Sequence, residues 1–93
     1  MYATISHWEA KEINDEMIET MQNKFMPMLK SLGAINCYEI QTSAKTVSIV
    51  TIYPDKKSKD EATEKINQIR SQGATEFDST MIKAEEGDVL ASV

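Results

Sequence analysis

The hydrophobic pattern of this chain switches twice from the two-residue alternation of a strand to the three- and four-residue spacing of a helix and back. Few folds accept that order. Residues 2–9 are rich in β-formers, with Tyr2, Thr4, Ser6 and Trp8 on one face and Ala3, Ile5 and His7 on the other. From Asn14 onward Met17, Ile18, Met21, Phe25, Met28, Leu29 and Leu32 form one stripe, which predicts a helix over residues 14–32. Asn14 or Asp15 can cap its start and Gly33 its end, while Pro27, lacking an N–H, predicts a kink or break inside it. Two β-rich runs follow at residues 35–42 and 46–53, separated by Ser43, Ala44 and Lys45 as an antiparallel hairpin would be. The second run is apolar on both faces, so both should be covered. Pro54 and Asp55 stop it, and Ser58-Lys59-Asp60-Glu61 matches a capping box. A second helix with the stripe Ala62, Ile66 and Ile69 should start there and end at Gly73. Residues 80–93 read as a last strand, interrupted by a bulge or turn at Gly87.

This order predicts two βαβ units joined by a hairpin, in one domain spanning residues 1–93. The expected class is α+β: a ferredoxin-like βαββαβ fold with a four-stranded antiparallel sheet and both helices on one face. Two helices cover only one side of the sheet. Tyr2, Trp8, Tyr38 and Tyr53 are candidates for the other side, although strand parity alone does not say which set faces the helices. A solvent-facing sheet of that content implies a partner, and the expected partner is a second copy of the chain. A chain this short buries only roughly 60–70% of its unfolded surface, so pairing also helps it fold.

Ten Lys and Arg against 15 Asp and Glu leave a net charge of −5. No global positive field is available for phosphate backbones or anionic lipid, and neither nucleic acid nor membrane is expected as a partner. An RNA-binding sheet would need aromatic platforms flanked by basic residues, and no such run occurs. Cys37 is the single cysteine, so no intramolecular disulfide forms, and no Cys/His cluster has zinc spacing. With no secretory signal and no stretch of about 18 apolar residues, a cytoplasmic location is expected. No metal or other cofactor is expected either, since there is no dinucleotide fingerprint and only three glycines to build a phosphate loop.

Taken in order, MYATI at residues 1–5, FMPML at 25–29, GAINCYEI at 33–40, VSIVTIYPD at 47–55 and EEGDVLA at 85–91 resemble the antibiotic biosynthesis monooxygenase-like group of the dimeric α+β barrel superfamily. The resemblance implies a homodimer whose two sheets face each other as a barrel, each subunit keeping a cleft between its sheet and helices. It also implies chemistry ranging from cofactor-free oxygenation of aromatic substrates to haem breakdown. The haem-degrading members use an asparagine on the first strand, a histidine late in the second helix and a tryptophan ending the third strand. Here those places hold Ser6, no histidine within residues 65–77, and Tyr53, which argues against that reaction.

His7, the only histidine, is the one natural proton shuttle near neutrality and the candidate catalytic base. Tyr38 and Tyr53 are candidates for binding an aromatic substrate through their phenols, and Met21 and Phe25 on the helix stripe for lining an adaptable pocket. The plainer reading of each is packing or interface contact. Trp8 points away from His7 and reads as an interface anchor. Lys56, Lys57 and Lys59 read as a solvated loop, and Glu85, Glu86 and Asp88 as too few oxygen ligands for a hard metal. The expected function is a small homodimeric barrel that binds a small apolar or aromatic molecule, with cofactor-independent oxygenation as its reaction. The alternative is a non-catalytic ligand-binding or interaction module.

Overall fold

A computed structural model describes residues 1–93. Strands β1 (Tyr2–Ala10), β2 (Asn36–Gln41), β3 (Thr46–Tyr53) and β4 (Ser79–Asp88) form one sheet in the order β2-β3-β1-β4. Every neighbouring pair is antiparallel, so each crossover connects parallel strands with one strand between them, as the split βαβ order demands. The first crossover is α1 (Asp15–Thr20), a π-helical turn (Met21–Phe25) and α2 (Met26–Ser31); the second is α3 (Lys56–Glu76). The predicted fold class is thus the observed one. No helix is long and apolar enough to cross a membrane.

The expected break at Pro27 takes the form of the π-helical turn. In a regular helix the Pro27 ring would collide with the carbonyl four residues earlier, and widening the preceding turn relieves that collision. The Met26 N–H accordingly donates to the carbonyl of Met21, five residues back. Asn14 caps the start, its Oδ1 accepting from the Met17 N–H at 2.9 Å. Gly33, at φ 106°, ends the helix, with the Gly33 N–H donating to Lys30 O and the Ala34 N–H to Leu29 O.

Three boundaries differ from the sequence reading. Helix α3 starts two residues before Ser58, because Asp55 already serves as its cap and accepts from the Ser58 N–H at 2.7 Å. That bond holds the Asp55 carboxyl below its usual range. The helix also runs past Gly73 to Glu76. Gly73 sits under the Phe25 ring, and the extra turn brings Phe77 against Phe25 with ring centroids 5.1 Å apart. Asp78 then takes the left-handed conformation, at φ 49°. Finally, β4 runs straight through Gly87, and its bulge lies opposite His7 and Trp8, where Ile82 is the extra residue. Residues 89–93 form no strand, and Leu90 is exposed.

The core lies between sheet and helices, where Leu29, Ala34, Tyr53, Ala62 and Ile66 pack together. Register sets the faces. Tyr2 pairs with Tyr53, Thr4 with Thr51, Ser6 with Ile49 and Trp8 with Val47, and these rows face the helices. Tyr2, Trp8 and Tyr53 are therefore inside and not on the open face, and Trp8 is no interface anchor. Of the four aromatic candidates only Tyr38 faces outward. Lys59 is not in a solvated loop either: it is buried on α3, with its ammonium 2.8 Å from Glu86.

Candidate functional site

Between the helices and the sheet lies a narrow cleft of about 60 Å³. Its floor is Thr4, Ser6 and Trp8 of β1, Val47, Ile49, Thr51 and Tyr53 of β3, and Glu39 of β2. Met17, Met21, Phe25 and Leu29 cover it from the first crossover, and Ile66, Ile69, Arg70 and Phe77 from the second. The space suffices for about four waters, whereas a bound aromatic ring occupies a cavity of roughly 150 Å³. An aromatic ring would fit there only if side chains moved. Met17 and Met21, with three rotatable bonds each, are the ones suited to move.

The polar groups of the cleft divide into satisfied and unsatisfied ones. Trp8 Nε1 donates to Ser6 Oγ at 2.8 Å, and the Thr51 hydroxyl lies 3.4 Å from the Cys37 thiol. Burial pushes that thiol's pKa up, which keeps it a neutral packing group. The Tyr53 side chain is wholly buried, yet its hydroxyl has no hydrogen-bond partner. Burial pushes its pKa up to about 12. Arg70 is half-buried and takes part in none of the ion pairs, and burial lowers its pKa. Glu39 is half-buried with its pKa raised by desolvation, and it too is unpaired.

Of the residues singled out from the sequence, the cleft brings together Tyr53, Met21 and Phe25. His7 and Tyr38 lie across the sheet from it. His7 pairs with Ser48 on one side and Lys83 on the other, and Tyr38 pairs with Val50, all in outward-facing rows. There His7 Nδ1 lies 2.8 Å from Ser48 Oγ and its Nε2 3.2 Å from Glu85 Oε2. The order Ser–His–Glu is that of a hydrolytic triad, but Ser48 sits mid-strand between His7 and Ile40. Its backbone is committed to the ladder on both sides, which leaves no amide pair to form an oxyanion hole. The acidic cluster is likewise split: Glu86 shares a row with Thr4 and Glu85 with Ile5, on opposite faces.

Arg70 and Glu39 were the residues that sequence reasoning missed. Glu39 had a readable signal, a carboxylate at mid-strand between Tyr38 and Ile40. Taken alone that pattern sends Glu39 to solvent and the apolar pair inward, the reverse of what the β2–β3 register does. Arg70 follows Ile66 by four residues and extends the apolar stripe of α3 with a cation.

No family model and no curated protein matches the sequence. Solved structures do match over the full chain. HapK from Hahella chejuensis superposes with a TM-score of 0.75 at 16% identity, covering 100% of this chain and 96% of that one. A dimeric ferredoxin-like protein from an uncultured marine organism gives 0.66 at 12%, covering 100% and 98%. A putative antibiotic biosynthesis monooxygenase from Deinococcus radiodurans gives 0.65 at 8%, covering 100% and 96%. At these identities the likeness is one of fold. The chain has the ferredoxin-like α+β fold that a dimeric protein and a monooxygenase-like protein share.

Proposed function

We propose that this protein is a homodimeric barrel that binds a small apolar or aromatic molecule in the helix-to-sheet cleft of each subunit. The observation carrying this reading is that both sides of the sheet carry large apolar side chains while the helices cover only one of them. Its helix-facing side holds Tyr2, Trp8, Val47, Ile49 and Tyr53 among Thr4, Ser6, Glu39 and Thr51, while Ile5, Ile40, Val50, Ile52 and Tyr38 face outward beside His7, Ser48 and Glu85. Tyr38 and Ile40 are 55% and 48% exposed. An outward aliphatic face of this extent belongs against another protein surface, and the marine neighbour described as dimeric supports a second copy as the partner. The barrel interior then takes the outer face, including His7 and Tyr38, and leaves the cleft for the ligand.

The reaction proposed is cofactor-independent oxygenation of an electron-rich aromatic substrate, supported by the fold shared with a putative monooxygenase. An activated ring methylene would become a carbonyl while O2 supplies that oxygen and leaves its second atom as water. Such a step begins with loss of a substrate proton. Glu39 is the cleft's proton acceptor, and Tyr53, Met21 and Phe25 position the ring. Binding without turnover is the second reading, favoured by Glu39 being the cleft's only carboxylate. An oxygen-electrode assay with anthrone- and hydroquinone-type substrates, run beside binding titrations, separates the two. Oxygen uptake abolished by Glu39→Gln supports the oxygenase; tight binding with no uptake by any substrate overturns it and leaves the binding module.

A further inference from the structure

On the reading that the cleft is the binding site, we infer that its ligand carries an ionised acidic oxygen, a carboxylate or phenolate, held between the Arg70 guanidinium and the Tyr53 hydroxyl. Buried polar groups in folded proteins are nearly always paired. The Tyr53 hydroxyl is wholly buried, lines the cleft and has no partner. A phenol in that state is a donor awaiting an acceptor. Arg70 lines the same cleft with five donors and no carboxylate within ion-pair reach. The acid best placed to neutralise it, Glu86, is already engaged: Lys59 donates to it at 2.9 Å and the Tyr2 hydroxyl at 2.7 Å. Glu39, across the cleft, is not within 4 Å of Arg70 either. The cleft therefore presents a cation that no carboxylate of the chain pairs and a buried hydroxyl donor without a partner. A planar oxyanion satisfies both, because the guanidinium fork matches two oxygens in one plane. Trp8, Met21 and Phe25 then take the apolar body of the molecule.

The test is calorimetric titration with two matched probe pairs, 2-naphthoate against 2-naphthamide and, at mildly alkaline pH, 4-nitrophenolate against 4-nitroanisole. Trp8, the only tryptophan, reports cleft occupancy by its fluorescence. The charged member of at least one pair is expected to bind about tenfold tighter or more than its neutral mate, and which pair shows the preference identifies carboxylate or phenolate. Arg70→Gln should abolish that preference, Arg70→Lys should keep part of it, and Tyr53→Phe should weaken the anion roughly fivefold while sparing the neutral probe. If Arg70→Gln fails to fold, the selectivity of the unaltered protein and of the lysine variant still decides. Charged and neutral probes that bind equally, both perturbing Trp8, would overturn the anion site and leave the cleft reading standing. Failure of all four probes to bind or to perturb Trp8 would overturn both.

Discussion

Replacing Tyr53 with phenylalanine should make the protein more stable, which is unusual for a fully buried position. The ring stays in place against Leu29, Ala62 and Ile66, and only the hydroxyl is removed. A buried hydroxyl without a partner costs about 1–3 kcal/mol of lost hydration. Deleting one oxygen leaves a gap on the order of 10 Å³, worth roughly 0.2 kcal/mol at the usual cavity coefficient. The balance is a gain of about 1 kcal/mol or more, a rise in melting temperature of roughly 4–8 °C for a domain of this size. The pH dependence provides a second signature. Because the folded-state pKa lies near 12 and the ordinary value is 10.0, the unfolded chain releases this proton first as pH rises. The hydroxyl therefore takes away stability between those two values, and the advantage of Tyr53→Phe should widen in that range. Urea unfolding at one fixed protomer concentration measures both effects, since the stability of the proposed dimer would depend on concentration. A loss of 1 kcal/mol or more on substitution would refute the reasoning, because it would mean that the hydroxyl is satisfied in the folded protein.

Three further outcomes are expected. Tyr38→Glu or Ile40→Asp, at positions already about half exposed in the protomer, should leave the subunit folded but dissociate the dimer; sedimentation at micromolar concentration checks this, and a variant that stays dimeric contradicts the proposed interface. Glu86→Gln should cost about 1 kcal/mol, because Lys59 is left buried with a weaker partner. Lys59 first and Tyr2 second hold the Glu86 carboxyl below its ordinary value, so its stabilisation is complete above that value and lost as pH falls through the lower folded one; the variant's acid unfolding curve should be flatter there. Glu39→Gln has the opposite sign. Desolvation raises the Glu39 pKa, so the wild type loses stability as pH rises through the folded value, and the variant should be the more stable protein at neutral pH in the same urea assay.

The order of elements was legible because helix and strand periods differ and because Gly33, Asn14 and Pro27 mark their boundaries chemically. Boundaries failed where a tertiary contact outweighed a local signal. Gly73 looks like a stop, yet the contact between Phe77 and Phe25 carries α3 a further turn. The placement of the site residues was hidden for a different reason. Which face of a strand turns inward is decided by pairing, and a one-residue change of register exchanges the faces. In β2 the side chains alone argue for Tyr38 and Ile40 inside, whereas pairing Cys37 with Thr51 and Glu39 with Ile49 turns Glu39 inward. His7 was singled out as the only histidine, but its strand parity commits it to the opposite side of the sheet from the cleft.

A sheet apolar on both sides links the proposed assembly to the proposed binding. Along β3 successive residues serve the two faces in turn, with Val47, Ile49, Thr51 and Tyr53 toward the cleft and Ser48, Val50 and Ile52 toward the outer side. The proposed second copy on the outer side would therefore brace the backbone that carries the cleft floor without touching any side chain that lines it. The cover is built differently. Met21 and Phe25 belong to the π-helical turn imposed by Pro27, and Met17 lies one turn before it. Methionines on an irregular helical turn repack at little energetic cost, whereas β1 and β3, paired on both edges, do not. The central strand β3 holds Tyr53 in place, Glu39 sits beside it on the edge strand β2, and the adaptable side of the cleft is the first crossover. Discrimination by size should therefore be weak and discrimination by polar group strong, because a helix can yield to one more carbon but a buried hydroxyl and an unpaired guanidinium cannot change what they require of a ligand.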